Sequence, residues 1–168
     1  MPQSDDLLGY EEDDIEEEDS QLDKYITFSL GKEEYAIEIR YVVEIVGLQK
    51  ITELPDMPHF VKGVINLRGD VFPIIDVRSR FNMQEVDYTD RTCIIIVSIE
   101  DTSIGLIVDE VSEVLDIKPE NISSSPKSVS KSRGKFIKGI GKVEDEVKII
   151  LDVEKFLSED ELADVKEI

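Results

Sequence analysis

FVKGVINLRGDVFPIIDVRSRF, residues 60–81, is the stretch whose reading decides the fold of this chain. Val64 to Leu67 and Val71 to Val77 are apolar runs rich in Val and Ile, and Arg68, Gly69 and Asp70 between them supply a turn. The pattern predicts a β-hairpin with a charged tip. Gly69 can take positive φ there without a Cβ penalty, while Pro73, which lacks an N–H, predicts an edge or a bulge in the second strand.

The stretch recurs. Written below it without a gap, residues 136–157 read FIKGIGKVEDEVKIILDVEKFL, so that Phe60, Lys62, Gly63, Val71, Ile74, Asp76 and Val77 face Phe136, Lys138, Gly139, Val147, Ile150, Asp152 and Val153. A second echo lies upstream of each copy: residues 35–45 line up with 104–114, setting Val42 and Glu44 opposite Val111 and Glu113. Two echoes in one order mark an internal duplication, with approximate halves 24–90 and 91–157. A half of this size is marginal as a free domain, so the two are expected to share one core in a single pseudo-symmetric unit.

Composition narrows the function. The net charge is −20, and half of it lies in residues 1–24, which hold eleven acids and one base. Residues 1–23 have too little apolar side chain to offset ordering entropy and are expected to be a disordered acidic tail. So acidic a surface repels phosphate backbones and anionic lipid, which argues against nucleic acid and against direct membrane docking. There is no apolar run of membrane-spanning length and no signal-peptide character at the N-terminus. The single cysteine, Cys93, forms no internal disulfide, and a cytoplasmic protein is expected.

Along the chain, Ile26, Phe28 and Leu30 alternate with Tyr25, Thr27 and Ser29 as in a half-buried strand, and Gly31 to Glu34 turn it into a hairpin. Residues 39–45 read as a short helical turn or bent strand stopped by Gly47, and residues 54–60, with two prolines, as an irregular link with a helical turn after Pro58. Asp76 is placed to cap a short segment over 77–81. Residues 92–99 and 103–108 are near-continuous apolar strands of a barrel or sandwich, followed by a short strand over 114–117 and a polar, Ser-rich segment expected to be mobile, above all over Ser123 to Ser132. Ser158 and Glu161 form a capping box for a C-terminal helix over 158–168, with Leu162 and Val165 turned inward.

Chemistry is poorly represented. His59 is the sole histidine, beside Phe60, and Cys93 lies in an apolar strand where it reads as a small buried hydrophobe. No spaced Cys and His ligands, no calcium-loop pattern and no phosphate-cradling glycine loop occur, so no catalytic residue, metal or cofactor is assigned. The contrast between the two hairpin tips is more informative: Asn66-Leu67-Arg68-Gly69-Asp70 in the first copy faces the ordinary solvated turn Lys142-Val143-Glu144-Asp145-Glu146 in the second. Asn66 can donate and accept, Leu67 can be an exposed apolar anchor, and Arg68 offers a rigid fork of donors. Two readings stand open: Arg68 anchors an interface, or it pairs with Glu44 or Asp70 and braces the body.

The run from Gly63 to Gly69, followed by Pro73 to Arg78 and Phe81, resembles the signature of the chemotaxis coupling proteins, the CheW family. Residues 28–39, Val42, Glu44, residues 105–109 and the closing run 149–157 fit the same pattern, so the resemblance covers about residues 24–162. It implies a mainly β fold of two SH3-like five-stranded barrels with a pseudo-twofold relation, short helices and a C-terminal helix. It implies a non-enzymatic adaptor that couples the cytoplasmic tips of chemoreceptors to the histidine kinase CheA, meeting the membrane only through the receptors. The positions matching the family's receptor groove are Val42, Glu44, Gly63, Asn66, Leu67 and Arg68; the kinase-binding residues are not placed. A scaffold of the same fold in another histidine-kinase pathway, and from another class a β-barrel hydrolase, are the alternatives.

Overall fold

The computed structural model describes residues 21–124 and 131–168, with side chains from 133 in the second span. Most of the expected disordered tail (1–23) and of the expected mobile Ser-rich segment (123–132) lies outside that range; of the latter, Ser123 ends a short strand and residues 131–132 open a short helix. The described chain forms strands β1 (Lys24–Leu30), β2 (Glu33–Glu38), β3 (Val42–Gly47), β4 (Val61–Leu67), β5 (Asp70–Asp76), β6 (Cys93–Ile99), β7 (Thr102–Val108), β8 (Glu110–Asp116), β9 (Ile122–Ser123), β10 (Ile137–Val143) and β11 (Glu146–Leu151). Short helices are α1 (Val77–Arg80), α2 (Lys131–Gly134) and α3 (Glu159–Lys166).

Two sheets result, ordered β8-β1-β2-β11-β10-β9 and β3-β6-β7-β5-β4. Their correspondence is strand for strand. In each, an antiparallel hairpin (β1-β2 or β6-β7) meets a second hairpin (β11-β10 or β5-β4) through a parallel pairing, Ile149↔Tyr35 in one and Ile74↔Gly105 in the other. The sixth strand is the two-residue β9, and its counterpart on the five-stranded sheet is the single Thr52↔Val64 bridge. This is the mainly β, SH3-like pair of modules expected, although strand pairing closes neither sheet into a complete barrel. The sequence halves interleave: β1 and β2 lie in a sheet with β8 to β11, while β6 and β7 lie with β3 to β5.

The duplicated hairpins match in detail. Both carry a register shift at the same place, between Val61 and Gly63 and between Ile137 and Gly139. In both, the aspartate amide at the end of the second strand returns to the opening phenylalanine, Asp76 N–H to Phe60 O at 2.9 Å and Asp152 N–H to Phe136 O at 2.8 Å. Each of these aspartates then caps the following turn, Asp76 accepting from Ser79 N–H and Asp152 from Glu154 N–H. Pro73 is tolerated because its neighbour Val64 turns its backbone bonds to Thr52, leaving Val64 and Pro73 a pair without ladder bonds, and pairing to β7 starts only at Ile74.

One large cluster joins the sheets, with Phe28, Tyr35, Phe81, Phe136 and Phe156 at its centre and ring centroids 5.3–5.9 Å apart. Each sheet also encloses a smaller cluster of its own, around Ile65, Ile74 and Ile94 in one and around Tyr25, Ile117 and Ile150 in the other. Shared burial is what makes two marginal modules one body. The chain passes from sheet to sheet through a 3-10 turn at Ile39–Tyr41 and again at Asp109 alone. Asp109 is held there by Arg78 at 2.8 and 2.5 Å and by the Gly31 N–H at 2.8 Å.

Several local expectations change. The link over 54–60 is irregular, with turns rather than a helical turn: the Val61 N–H closes one turn onto the Pro58 carbonyl at 3.0 Å, and Val61 then opens β4. The short strand expected at 114–117 is the seven-residue β8, because Asp109 suffices as a crossover. Cys93 is only half-buried, at the start of β6, with its thiol 3.1 Å from the Arg91 carbonyl. The C-terminal capping box is present, with Leu162 and Val165 buried.

Candidate functional site

The β4-β5 turn consists of Arg68 and Gly69, with φ +54° and +89°. A two-residue turn with both centres left-handed continues the right-handed strand twist, which is why it closes a hairpin so tightly. Glycine was expected to carry the positive φ; the arginine carries it as well, a conformation few side chains adopt. Asn66 offsets that cost in part, since its Oδ1 accepts the Gly69 N–H at 3.0 Å. In the second copy the equivalent residue, Glu144, has φ +56°, so the backbone is repeated while the charge is reversed.

Arg68 projects from the β4 end of its sheet, and Glu44 lies on β3 at the other end. Their side chains meet at 2.5 Å, with Arg68 still 69% exposed and Glu44 30%. The pair spans the gap that strand pairing leaves open, so Arg68 does brace the body as one reading held. It also keeps most of its donor fork facing solvent, as the other reading requires.

The remaining matched positions are not all on this surface. Leu67, expected as an exposed anchor, is only 9% exposed and packs with Ile65, Ile74 and Ile96, because alternation along β4 turns it inward with Ile65. Gly63 is buried at φ +144°, where a Cβ would lie 2.0 Å from the Thr52 carbonyl oxygen, so its lack of a side chain serves the close approach of residue 52. Gly139 repeats the arrangement against Ser123, at 2.8 Å.

Val42 and Glu44 would share a face in a regular strand. A shift at Val43 pairs Val42 with Val97 and Glu44 with Ile96, which point to opposite faces of β6. Val42 therefore packs on the large shared cluster while Glu44 reaches Arg68. Val43 and Ile45 are exposed on the same strand, and Val71 is exposed across from Asn66. These apolar residues were missed in the sequence, where residue type alone does not distinguish a strand's outward Val or Ile from an inward one.

Elsewhere the chemistry stays structural. His59 Nε2 lies 3.1 Å from the Ser79 carbonyl and its ring stands edge-on to Phe60. No cluster of His, Cys, Asp and Glu able to hold a metal ion occurs among the described residues, and no helix among them is long and apolar enough to cross a membrane.

Comparison with known proteins places the chain in a family. The family model for the CheW-like domain matches residues 24–161. The chemotaxis protein CheW of Klebsiella aerogenes is 38% identical over 140 residues, covering 83% of this chain and 84% of that protein. The Bacillus subtilis CheW is 38% identical over 138 residues, covering 82% and 88%. The crystal structure of the scaffolding protein TtCheW from Thermoanaerobacter tengcongensis superposes with a TM-score of 0.76 at 36% identity, over 83% of this chain and 94% of that one. The chain, with its two interleaved modules, belongs to the CheW-like domain family, whose members are non-enzymatic scaffolds of chemotaxis signalling.

Proposed function

We propose that this chain couples the cytoplasmic helical tips of chemoreceptors to the histidine kinase CheA, with the receptor held against the surface around Arg68, Glu44 and the flanks of β3. The observation that carries the reading is Arg68 itself: a largely solvent-facing arginine on a rigid left-handed turn whose twin holds an acid. Asn66, Leu67 and Gly63 set the position of that turn, and Val42 packs the strand that bears Glu44. The exposed Val43, Ile45 and Val71 add apolar surface for one face of a helix, while the charged pair selects register through polar partners.

Coupling needs no chemistry. A body stiffened by one shared core that is touched by receptor and kinase on different faces passes a shift in one contact to the conformational equilibrium of the other partner. Titrating a labelled receptor-tip helical hairpin against the wild-type chain and Arg68→Ala tests the receptor half; equal affinity removes Arg68 from the site. Adding kinase and reading its autophosphorylation tests the other half, where the expected result is receptor control of the kinase only when this chain is present.

A further inference from the structure

Arg80, the last residue of α1, is the repeat counterpart of Phe156 and stands where the two copies meet. Its guanidinium carbon lies 4.2 Å from the ring centroid of Phe60 and 4.9 Å from that of Phe136, the opening residues of the two duplicated hairpins. The side chain is 10% exposed, so its charge is held by specific partners. Nε donates to the Phe156 carbonyl at 2.7 Å, and the two terminal nitrogens donate to the Glu161 carboxylate at 2.8 and 3.2 Å. Glu161 is the third residue of α3, and the same carboxylate accepts the Ser158 N–H at 2.8 Å to complete the capping box. One acid therefore both starts the C-terminal helix and fastens it to the seam between the copies.

Little else fastens it. α3 has eight residues, too few to be helical alone in water, and it buries only Leu162 and Val165. Among the described residues its remaining ionic contact, Lys166 to Glu100, is exposed and 3.9 Å long. At its far end Val165, Lys166 and Ile168 line a groove with Asp70, Val71 and Pro73, the flank of the hairpin whose turn holds Arg68. We propose that α3 is a latched strap: the Arg80–Glu161 fork keeps it closed, it opens as a unit without the sheets unfolding, and its opening loosens the β4-β5 hairpin. The link to receptor binding rests on the proposed function, whereas the strap does not.

Hydrogen exchange on the full chain, without receptor, tests it in wild type, Glu161→Gln and Arg80→Lys. The lysine keeps the charge but not the fork and is the variant safer for folding, because Glu161→Gln leaves the buried arginine without its counter-ion. Both are expected to speed exchange over α3 and over Asp70 to Phe72 by about tenfold or more, with the central strands β6 and β7 unchanged. Unchanged exchange in α3, or a rise shared equally by β6 and β7, overturns the strap. Arg68→Ala in the same series should exchange as wild type does over α3, so a failure of the receptor reading is seen in binding and a failure of the strap in exchange.

Discussion

Arg68 and Glu44 sit at opposite ends of the strand order of one sheet, yet their side chains meet at 2.5 Å. Such a pair closes by side chains what the backbone leaves open. With the arginine 69% exposed, solvent screening holds its contribution to about 0–1 kcal/mol. Arg68→Ala is expected to shift the urea midpoint by no more than that, while affinity for a receptor-tip helical hairpin falls by about tenfold or more. Strong destabilisation with unchanged affinity would assign the residue to bracing alone.

Leu67 behaves differently from its neighbour. Its burial with Ile65, Ile74 and Ile96 predicts that Leu67→Ala costs about 2–4 kcal/mol in chemical denaturation. A variant with wild-type stability and lost receptor binding would restore Leu67 to the contact surface.

Gly63 and Gly139 occupy equivalent places under unequal constraint. A Cβ at Gly63 would lie 2.0 Å from the Thr52 carbonyl oxygen at a φ of +144°, whereas at Gly139 the nearest atom, the Ser123 carbonyl oxygen, is 2.8 Å away. Gly63→Ala should destabilise by about 3 kcal/mol and free the Thr52 amide to exchange, with Gly139→Ala milder. Equal losses in denaturation would show that residue 52 yields as easily as the short strand β9 does.

Acid should weaken the crossover at Asp109. The Arg78 hydrogen bonds hold its carboxyl below the usual carboxylate range; burial opposes them, and the Gly31 N–H adds to the lowering. Because the folded value is the depressed one, the unfolded chain takes up this proton first as pH falls. The stabilisation is therefore complete at neutral pH and is lost below about pH 4. Asp109→Asn should be less stable than wild type at pH 7, and urea titrations should show the gap closing in acid. A gap that widens on acidification would mean that Asp109 carries no depressed pKa.

Much of the fold was legible because it is local. Alternation predicted β1, and near-continuous apolar runs predicted β6 and β7; Asp76 announced the cap of α1; Ser158 and Glu161 announced the start of α3; and the repeated FxKG openings announced two hairpins that even share a register shift. The site was legible in part. The odd tip at Arg68 stood out against its twin, but Leu67's burial and the bulge at Val43, which separates Val42 from Glu44, have no signature in residue type.

What the chain determined by itself is each hairpin, cap and tight turn, since those depend on side chains acting on their own or neighbouring backbone over a few residues. Only the tertiary structure decided the partners. Tyr35 pairs with Ile149, each sheet mixes strands of both copies, and Arg80 lies between Phe60 and Phe136 with Glu161 as its counter-ion. Those choices are made by burial shared across the whole molecule. Two modules that each resemble a complete unit leave open, at the level of sequence, which half of one completes the other.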